Sequence, residues 1–410
     1  MSLYNHAVVW DKNEDYMTKA YFCNGYILVD GKKMSKSLGN FLTISDLIKN
    51  YGADASRITL ADCGDSLDDA NFLREICNLS VNRLYSFENF VKILINEVWN
   101  KSNVTINDPD GEIQLNNLFD KIFDNNINYL VKEAKKSYEE MKYKNVLKYA
   151  FYEMINTKDQ YILYNEDDYS KLNPTLMIKF LKTFFIINSP IIPHFTEYMY
   201  LTYLNPLFEK FGLSEKKIRF LSNSKFPNIS LEIDTKLFEY NKYLNKVIQG
   251  IREVASKNYE KKKKIENNNN KDIKIKVLYA KEYSSFQKEV LNLLRKEKYN
   301  EKNKIISLDE KGSPKYKTEI LSDSKLDKNV KRNMLEFASY KIKEVESIGL
   351  EALNETLKFK EEEVLIQNAE LFKKLARLKD IEFLEYNEKD KPKNSKESAI
   401  PGKPLFIRVN

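Results

Sequence analysis

Histidine is nearly missing from this chain: His6 and His194 are the only two among 410 residues. A multi-histidine metal centre, or any motif built on two neighbouring histidines, is therefore excluded from the polypeptide. Cysteine is almost as scarce. Cys23, Cys63 and Cys77 lack metal-ligand spacing and cannot build a disulfide framework, which fits a reducing compartment. No apolar run is long enough to cross a bilayer, and the start MSLYNHAVVWDKNE has no signal-peptide pattern. A cytosolic location is expected, with no membrane partner. Strong charge imbalance is also lacking, since 67 Lys+Arg against 60 Asp+Glu leave a net +7. That excess permits a polyanionic partner such as RNA without showing where positive surface lies.

What is present supports real cores, because 42% of residues are hydrophobic and 12% aromatic. At 410 residues the chain is too long for one compact core and predicts two or three domains. Its most informative segment is Lys33-Met34-Ser35-Lys36-Ser37, running on through Leu38-Gly39-Asn40-Phe41-Leu42. Two ammonium groups stand among small hydroxyl residues, followed by a glycine that permits a tight turn. Such a loop suits displacement at phosphorus, where charge building on departing pyrophosphate must be met by positioned donors. Lys36 is the first choice for stabilising pyrophosphate directly, with Lys33 in support. Ser35 and Ser37 hydrogen-bond the phosphates or hold the loop's shape, and Met34 packs on the adenine side or anchors the loop. ATP is then a substrate, with Mg2+ accompanying it. The plain alternative is a basic surface turn after a strand.

The chain reads in parts. In residues 1–70, Ala20 to Val29 has strand character, broken near Asn24-Gly25, and delivers the chain to the Lys33 loop. Ile44, Leu47 and Ile48 are helically spaced behind a Thr43 N-cap, and Gly52 separates this helix from one beginning at Ala53. Residues 71–258 read almost wholly as helix, with Leu176, Phe180, Leu181, Phe184, Phe185 and Asn188 forming an apolar stripe that requires helical partners. Leu130, Val131, Ala134, Tyr138 and Met141 show similar periodicity, and an up-and-down bundle is the economical architecture. Residues 259–272 form a polar tract containing Lys261, Lys262, Lys263, Lys264 and four asparagines. A solvated loop or linker is its simplest reading, and RNA contact the other. In residues 273–410, Ile273–Tyr279, Ile381–Tyr386 and Leu405–Val409 read as strands, with helical stretches at Glu289–Lys298 and Glu363–Arg377. A small α/β domain is expected there.

Two further groups have competing readings. The aspartates of Ala61-Asp62-Cys63-Gly64-Asp65-Ser66-Leu67-Asp68-Asp69-Ala70-Asn71-Phe72 could hold magnesium, but caps and turns are the better reading. His194, between Pro193 and Phe195, reads as a packed or capping residue at a helix start rather than a catalyst. No metal site is assigned.

The segment KMSKSLGNFLTISDLIKNYGADASRITLADCGDSLDDANF resembles the corresponding region of leucyl-tRNA synthetases of the archaeal and eukaryotic cytosolic type. Its lysine loop and GADASR are shared with the isoleucyl, valyl and methionyl relatives, whereas ADCGDSLDDANF favours the leucyl family. The stretches LYAKEY from Leu278 and PGKPL from Pro401 agree, as do NVLKYAFYEM and SPIIPHFTEYMY in the middle. The resemblance implies a mainly α chain with α/β parts. It comprises the end of a Rossmann-type catalytic domain, a helical anticodon-binding bundle, and a small C-terminal α/β domain that grips tRNA. It implies leucine activation with ATP, charging of leucine tRNA, and Lys36 as the ATP-contacting lysine, with Lys33, Met34, Ser35 and Ser37 completing the motif. Lys261, Lys262, Lys263, Lys264 and Lys403 are candidate tRNA contacts. The family's histidine-pair motif, leucine pocket and editing domain are expected to precede Met1. This C-terminal portion is then catalytically incomplete without the N-terminal portion of the same enzyme. Leucine tRNA and, in a complex, other synthetases are the remaining implied partners. A stand-alone tRNA-binding or assembly module, or a related class I synthetase, is the alternative.

Overall fold

A computed structural model describes residues 2–17, 19–20, 23, 25–37, 39–100, 104–213, 219–227, 233–256, 273–300, 304–305, 312–324, 326–387 and 398–409. The chain divides into two compact units, Met1–Asp234 and Thr235–Asn410.

The first unit opens with a short helix, α1 (Ser2–Val9), and a small sheet. Strands β1 (Ile27–Val29) and β2 (Lys32–Lys33) form a hairpin, and β3 (Ala70–Phe72) pairs parallel to the other side of β1. Asp30 and Gly31 make the two-residue turn with φ of 50° and 77°. Positive φ at both central positions matches the right-handed twist of the flanking strands, and Asp-Gly supplies it at little cost. The strand expected over Ala20–Val29 is thus much shorter: Lys19, Ala20, Cys23 and Gly25-Tyr26 are irregular, and Tyr21, Phe22 and Asn24 lie outside the described residues.

Helices α2 (Ile44–Tyr51) and α3 (Ala53–Asp62) follow. Thr43 caps α2 in a reciprocal box with Asp46, which stops the strand-like approach and starts the helix. Gly52 ends α2 at φ 82° and permits the sharp entry into α3.

The bundle consists of α4 (Arg74–Lys92), α5 (Leu118–Glu139), α6 (Tyr143–Val146), α7 (Glu153–Tyr164), α8 (Pro174–Asn188), α9 (Pro193–Met199) and α10 (Asn205–Lys210). Wider π-helical turns at Ile93–Trp99, Leu147–Tyr152 and Tyr200–Leu204 interrupt the regular winding. The stripe on α8 is buried as expected, and the Phe184 ring stacks on Phe87 at 4.4 Å. Asn188, also in the stripe, is 1% exposed and donates its amide to the carbonyls of Ala150 and Phe184. Those bonds replace water for the amide nitrogen, whereas the buried carboxamide oxygen has no partner among the described residues. Met141 departs from its expected place: with φ 56° and 70% exposure it lies beyond the end of α5 instead of extending the stripe.

The second unit starts with α11 (Thr235–Ser256), a helix expected to close the bundle. It packs on β6 (Leu405–Val409) of its own unit, where Gly250 meets the Phe406 ring so closely that a Cβ would collide with it. The sheet runs β5-β4-β6, with β4 (Lys274–Tyr279) parallel to β5 (Asp380–Glu385) and antiparallel to β6. All three strands fall within one residue of the expected ranges. The helices are α12 (Ser285–Lys296), α13 (Lys315–Ser322), α14 (Lys328–Ile348), α15 (Glu361–Gln367) and α16 (Ala369–Ala376). The single helix expected over Glu363–Arg377 is two, divided at Asn368. No described helix is long and apolar enough to cross a membrane.

Candidate functional site

The Lys33 loop leaves the hairpin directly from β2, so the turn geometry fixes where the lysines emerge. Lys33 is the last residue of β2, and its ammonium stands 4.2 Å from the centre of the Tyr26 ring. Met34 and Ser35 are half-buried, whereas Lys36 and Ser37 are exposed. The hydroxyls of Ser35 and Ser37 lie 2.7 Å apart and bond each other, which shapes the loop internally. Leu38 lies outside the described residues, and Gly39 closes the turn at φ 65°, its amide donating to the Lys36 carbonyl.

Asn40 ties this loop together. Its carboxamide oxygen accepts from the Ser35 amide at 2.9 Å, and its amide nitrogen donates to the Lys33 carbonyl at 3.1 Å. One side chain thus spans the loop and satisfies backbone groups on both sides of Met34. Asn40 was adjacent to the motif in sequence, but its bracing role depends on the fold of the intervening turn.

The aspartate-rich segment supports the same hairpin. Asp69 accepts from the Tyr26 amide at 2.7 Å, and its carboxylate leaves no space for a Cβ at Gly25. Asn71 accepts from the Gly31 amide at 2.8 Å, and Asp30 receives both the amide and the guanidinium of Arg74. Asp65 accepts from the Lys144 amide in the first turn of α6. These are backbone-satisfying roles, as turn and cap chemistry requires. Beneath them Ala55, Phe72 and Cys77 form a small buried cluster against Leu42, Leu47 and Tyr51. Burial pushes the Cys77 and Cys63 thiols above their ordinary values.

A second brace joins α3 to the start of α9. Buried Asp54 accepts from the Phe195 amide at 2.6 Å and meets His194 Nδ1 at 3.2 Å. Arg57 donates to the carbonyls of Ile191 and Pro190 at 2.6 and 2.8 Å. Asp54 therefore caps α9, while Arg57 gathers the carbonyls preceding it. The His194 side chain is 76% exposed, so it sits at the helix start without being packed there.

Of the candidate RNA contacts, Lys403 lies in a turn of the second unit with its ammonium 5.0 Å from the Tyr340 ring. Lys261, Lys262, Lys263 and Lys264 lie outside the described residues.

Two family models match this chain: the anticodon-binding domain of tRNA ligase over residues 120–277, and the tRNA synthetases class I (C) catalytic domain over residues 5–66. The cytoplasmic leucine–tRNA ligase of Dictyostelium discoideum is 28% identical over 98% of this chain and 35% of its own length. That of Pongo abelii is 29% identical over 99% of this chain and 32% of its own length. That of Neurospora crassa reaches 36% identity over 48% of this chain and 17% of its own length. Among solved structures, the Agrobacterium radiobacter LeuRS–tRNA–LeuAMS ternary complex covers 51% of this chain and 24% of its own at 20% identity. Its TM-score is 0.37. The chain spans about a third of the length of the Dictyostelium and Pongo relatives, and less of the Neurospora one.

Proposed function

We propose that this chain belongs to the leucine–tRNA ligases among class I aminoacyl-tRNA synthetases, and that it supplies the phosphate-closing loop and tRNA-binding helices of such an enzyme; its similarity to cytoplasmic leucine–tRNA ligases along nearly its whole length supports this reading. The rest of the active site comes from a portion equivalent to the remaining length of the relatives. In the proposed reaction a leucine carboxylate oxygen attacks the α-phosphorus of ATP. The bond from that phosphorus to the bridging oxygen breaks, and pyrophosphate departs. A terminal ribose hydroxyl of leucine tRNA then attacks the leucyl carbonyl and AMP leaves. The relatives are cytoplasmic enzymes, which supports a cytoplasmic site of action.

The observation that carries this reading is the braced hairpin presenting Lys33 and exposed Lys36 from one turn. Pyrophosphate gains negative charge as it leaves, and two ammonium groups on a positioned loop oppose that charge in the transition state. Lys33 must leave the Tyr26 ring to take part. Such an exposed cation–π contact is worth about 0.5–1 kcal/mol. A positioned charge-stabilising donor is worth about 3 kcal/mol, so the exchange favours phosphate. Mg2+ would arrive on the ATP phosphates. Asp30 and Asp69, the carboxylates beside the hairpin, are already engaged with Arg74 and the Tyr26 amide.

The test is Lys36→Ala in the enzyme reconstituted with its catalytic portion. Leucine-dependent ATP–pyrophosphate exchange should slow about a hundredfold while the KM for leucine stays within about twofold. Unchanged turnover would remove Lys36 from this role.

A further inference from the structure

We propose that a groove on the second unit, along α14, is a binding site for the phosphodiester backbone of RNA. The inference rests on the tRNA-binding function proposed above and assigns that function to a surface. The groove measures about 650 Å³, and Lys328, Lys331, Arg332 and Lys343 stand along it with Glu336 as its one carboxylate. Its apolar lining comes from Leu321 at the end of α13 and Leu335 on α14, with the half-buried Tyr340 beyond.

The placement follows from helical geometry. Positions 328, 332, 335, 339 and 343 recur at three and four, and so share one face of α14. At 1.5 Å per residue, the distance from Lys328 to Lys343 is about 22 Å. A cationic edge of that length fits a run of phosphates better than a single acidic side chain. Four cations against one anion leave the groove strongly positive.

The charges are also available. Arg332 and Glu336 form an exposed pair at 2.9 Å, weakly held against water, and Lys331 donates to the Leu321 carbonyl at 2.9 Å. Among the described residues, Lys328 and Lys343 have no carboxylate partner. Lys403 adds a further ammonium over the Tyr340 ring, so this candidate RNA contact adjoins a residue lining the groove.

RNA binding by the whole chain, read by fluorescence anisotropy with a leucine tRNA transcript across a salt series, tests the site. Three proteins are compared: the parent, Lys328→Glu/Lys343→Glu, and the control Lys274→Glu/Lys296→Glu, which makes the same charge change elsewhere in the unit. Circular dichroism checks that each folds. The groove variant should bind about tenfold or more weakly, with its log–log salt slope shallower by about 1–2, while the control stays near the parent. A groove variant with the parent's affinity and slope would overturn the site while leaving the proposed tRNA binding intact. A parent that bound no RNA would overturn both. Preferential occupation by polyglutamate over RNA, lost in the groove variant, would overturn the proposal in favour of an acidic protein partner.

Discussion

Replacing Asn40 with alanine isolates the brace that holds the lysine loop. The substitution removes the acceptor for the Ser35 amide and the donor to the Lys33 carbonyl, while both lysines and the Ser35–Ser37 contact remain. A neutral intramolecular hydrogen bond contributes about 1 kcal/mol net. The Ser35 bond is part-buried and keeps most of that value, whereas water can replace much of the exposed Lys33 bond. Together they are worth about 1.4 kcal/mol, or roughly tenfold in the opening equilibrium of the loop. Amide hydrogen exchange on the intact chain reads this directly. The Ser35 amide should exchange about tenfold faster in Asn40→Ala, with protection in α4 unchanged. Asn40→Asp keeps an acceptor for Ser35 and should fall between the two. Equal exchange at Ser35 in parent and variant would refute the brace. Equal acceleration throughout α4 would show general destabilisation instead and would refute it as well.

Other expectations concern the second unit. Gly250→Ala places a Cβ into the Phe406 ring and should cost about 1–3 kcal/mol, measured as a lowered urea midpoint at unchanged slope. An unaltered midpoint would mean that α11 and β6 are not held at this separation. Glu361 is buried beneath Tyr243 and Gly402, accepting from the tyrosine hydroxyl at 2.7 Å and the glycine amide at 3.2 Å. Burial outweighs both bonds and pushes its carboxyl from an ordinary 4.5 to about 7. A raised acid pKa means the folded state holds its proton longer than the unfolded one. The resulting stability is full below about pH 4.5 and is lost as pH rises towards 7, by roughly 3 kcal/mol. Denaturation at pH 5 and pH 8 should therefore show a larger loss in the parent than in Glu361→Gln. Parallel losses would refute this assignment.

The sequence by itself determined the helical character of the bundle, the three strands of the second unit and the lysine motif. Apolar spacing on α8 has one physical solution, since burying Phe180, Phe184 and Phe185 together requires facing helices. The run from Lys274 to Tyr279 likewise reads as a strand, although as the central strand of its sheet it buries Val277, Leu278 and Tyr279 in succession and does not alternate to its end. Asp30-Gly31 carries a hairpin signal that the sequence reading did not use, and of the strand expected over Ala20–Val29 with a break near Asn24-Gly25 only Ile27–Val29 pairs.

Tertiary structure alone decided which polar groups met. Asn40 braces Lys33 and Ser35 because the loop folds back, and Asp54 caps α9 from a position 141 residues before Phe195. It also assigned α11 to the second unit, through the close approach of Gly250 to Phe406 that no local pattern announces. The cationic face of α14 became a groove only when Leu321 closed its side. Periodicity reports how an element divides its own apolar and polar faces. Hydrogen-bond partners and groove walls depend on where distant segments come to rest, and neighbouring residues do not encode that separately.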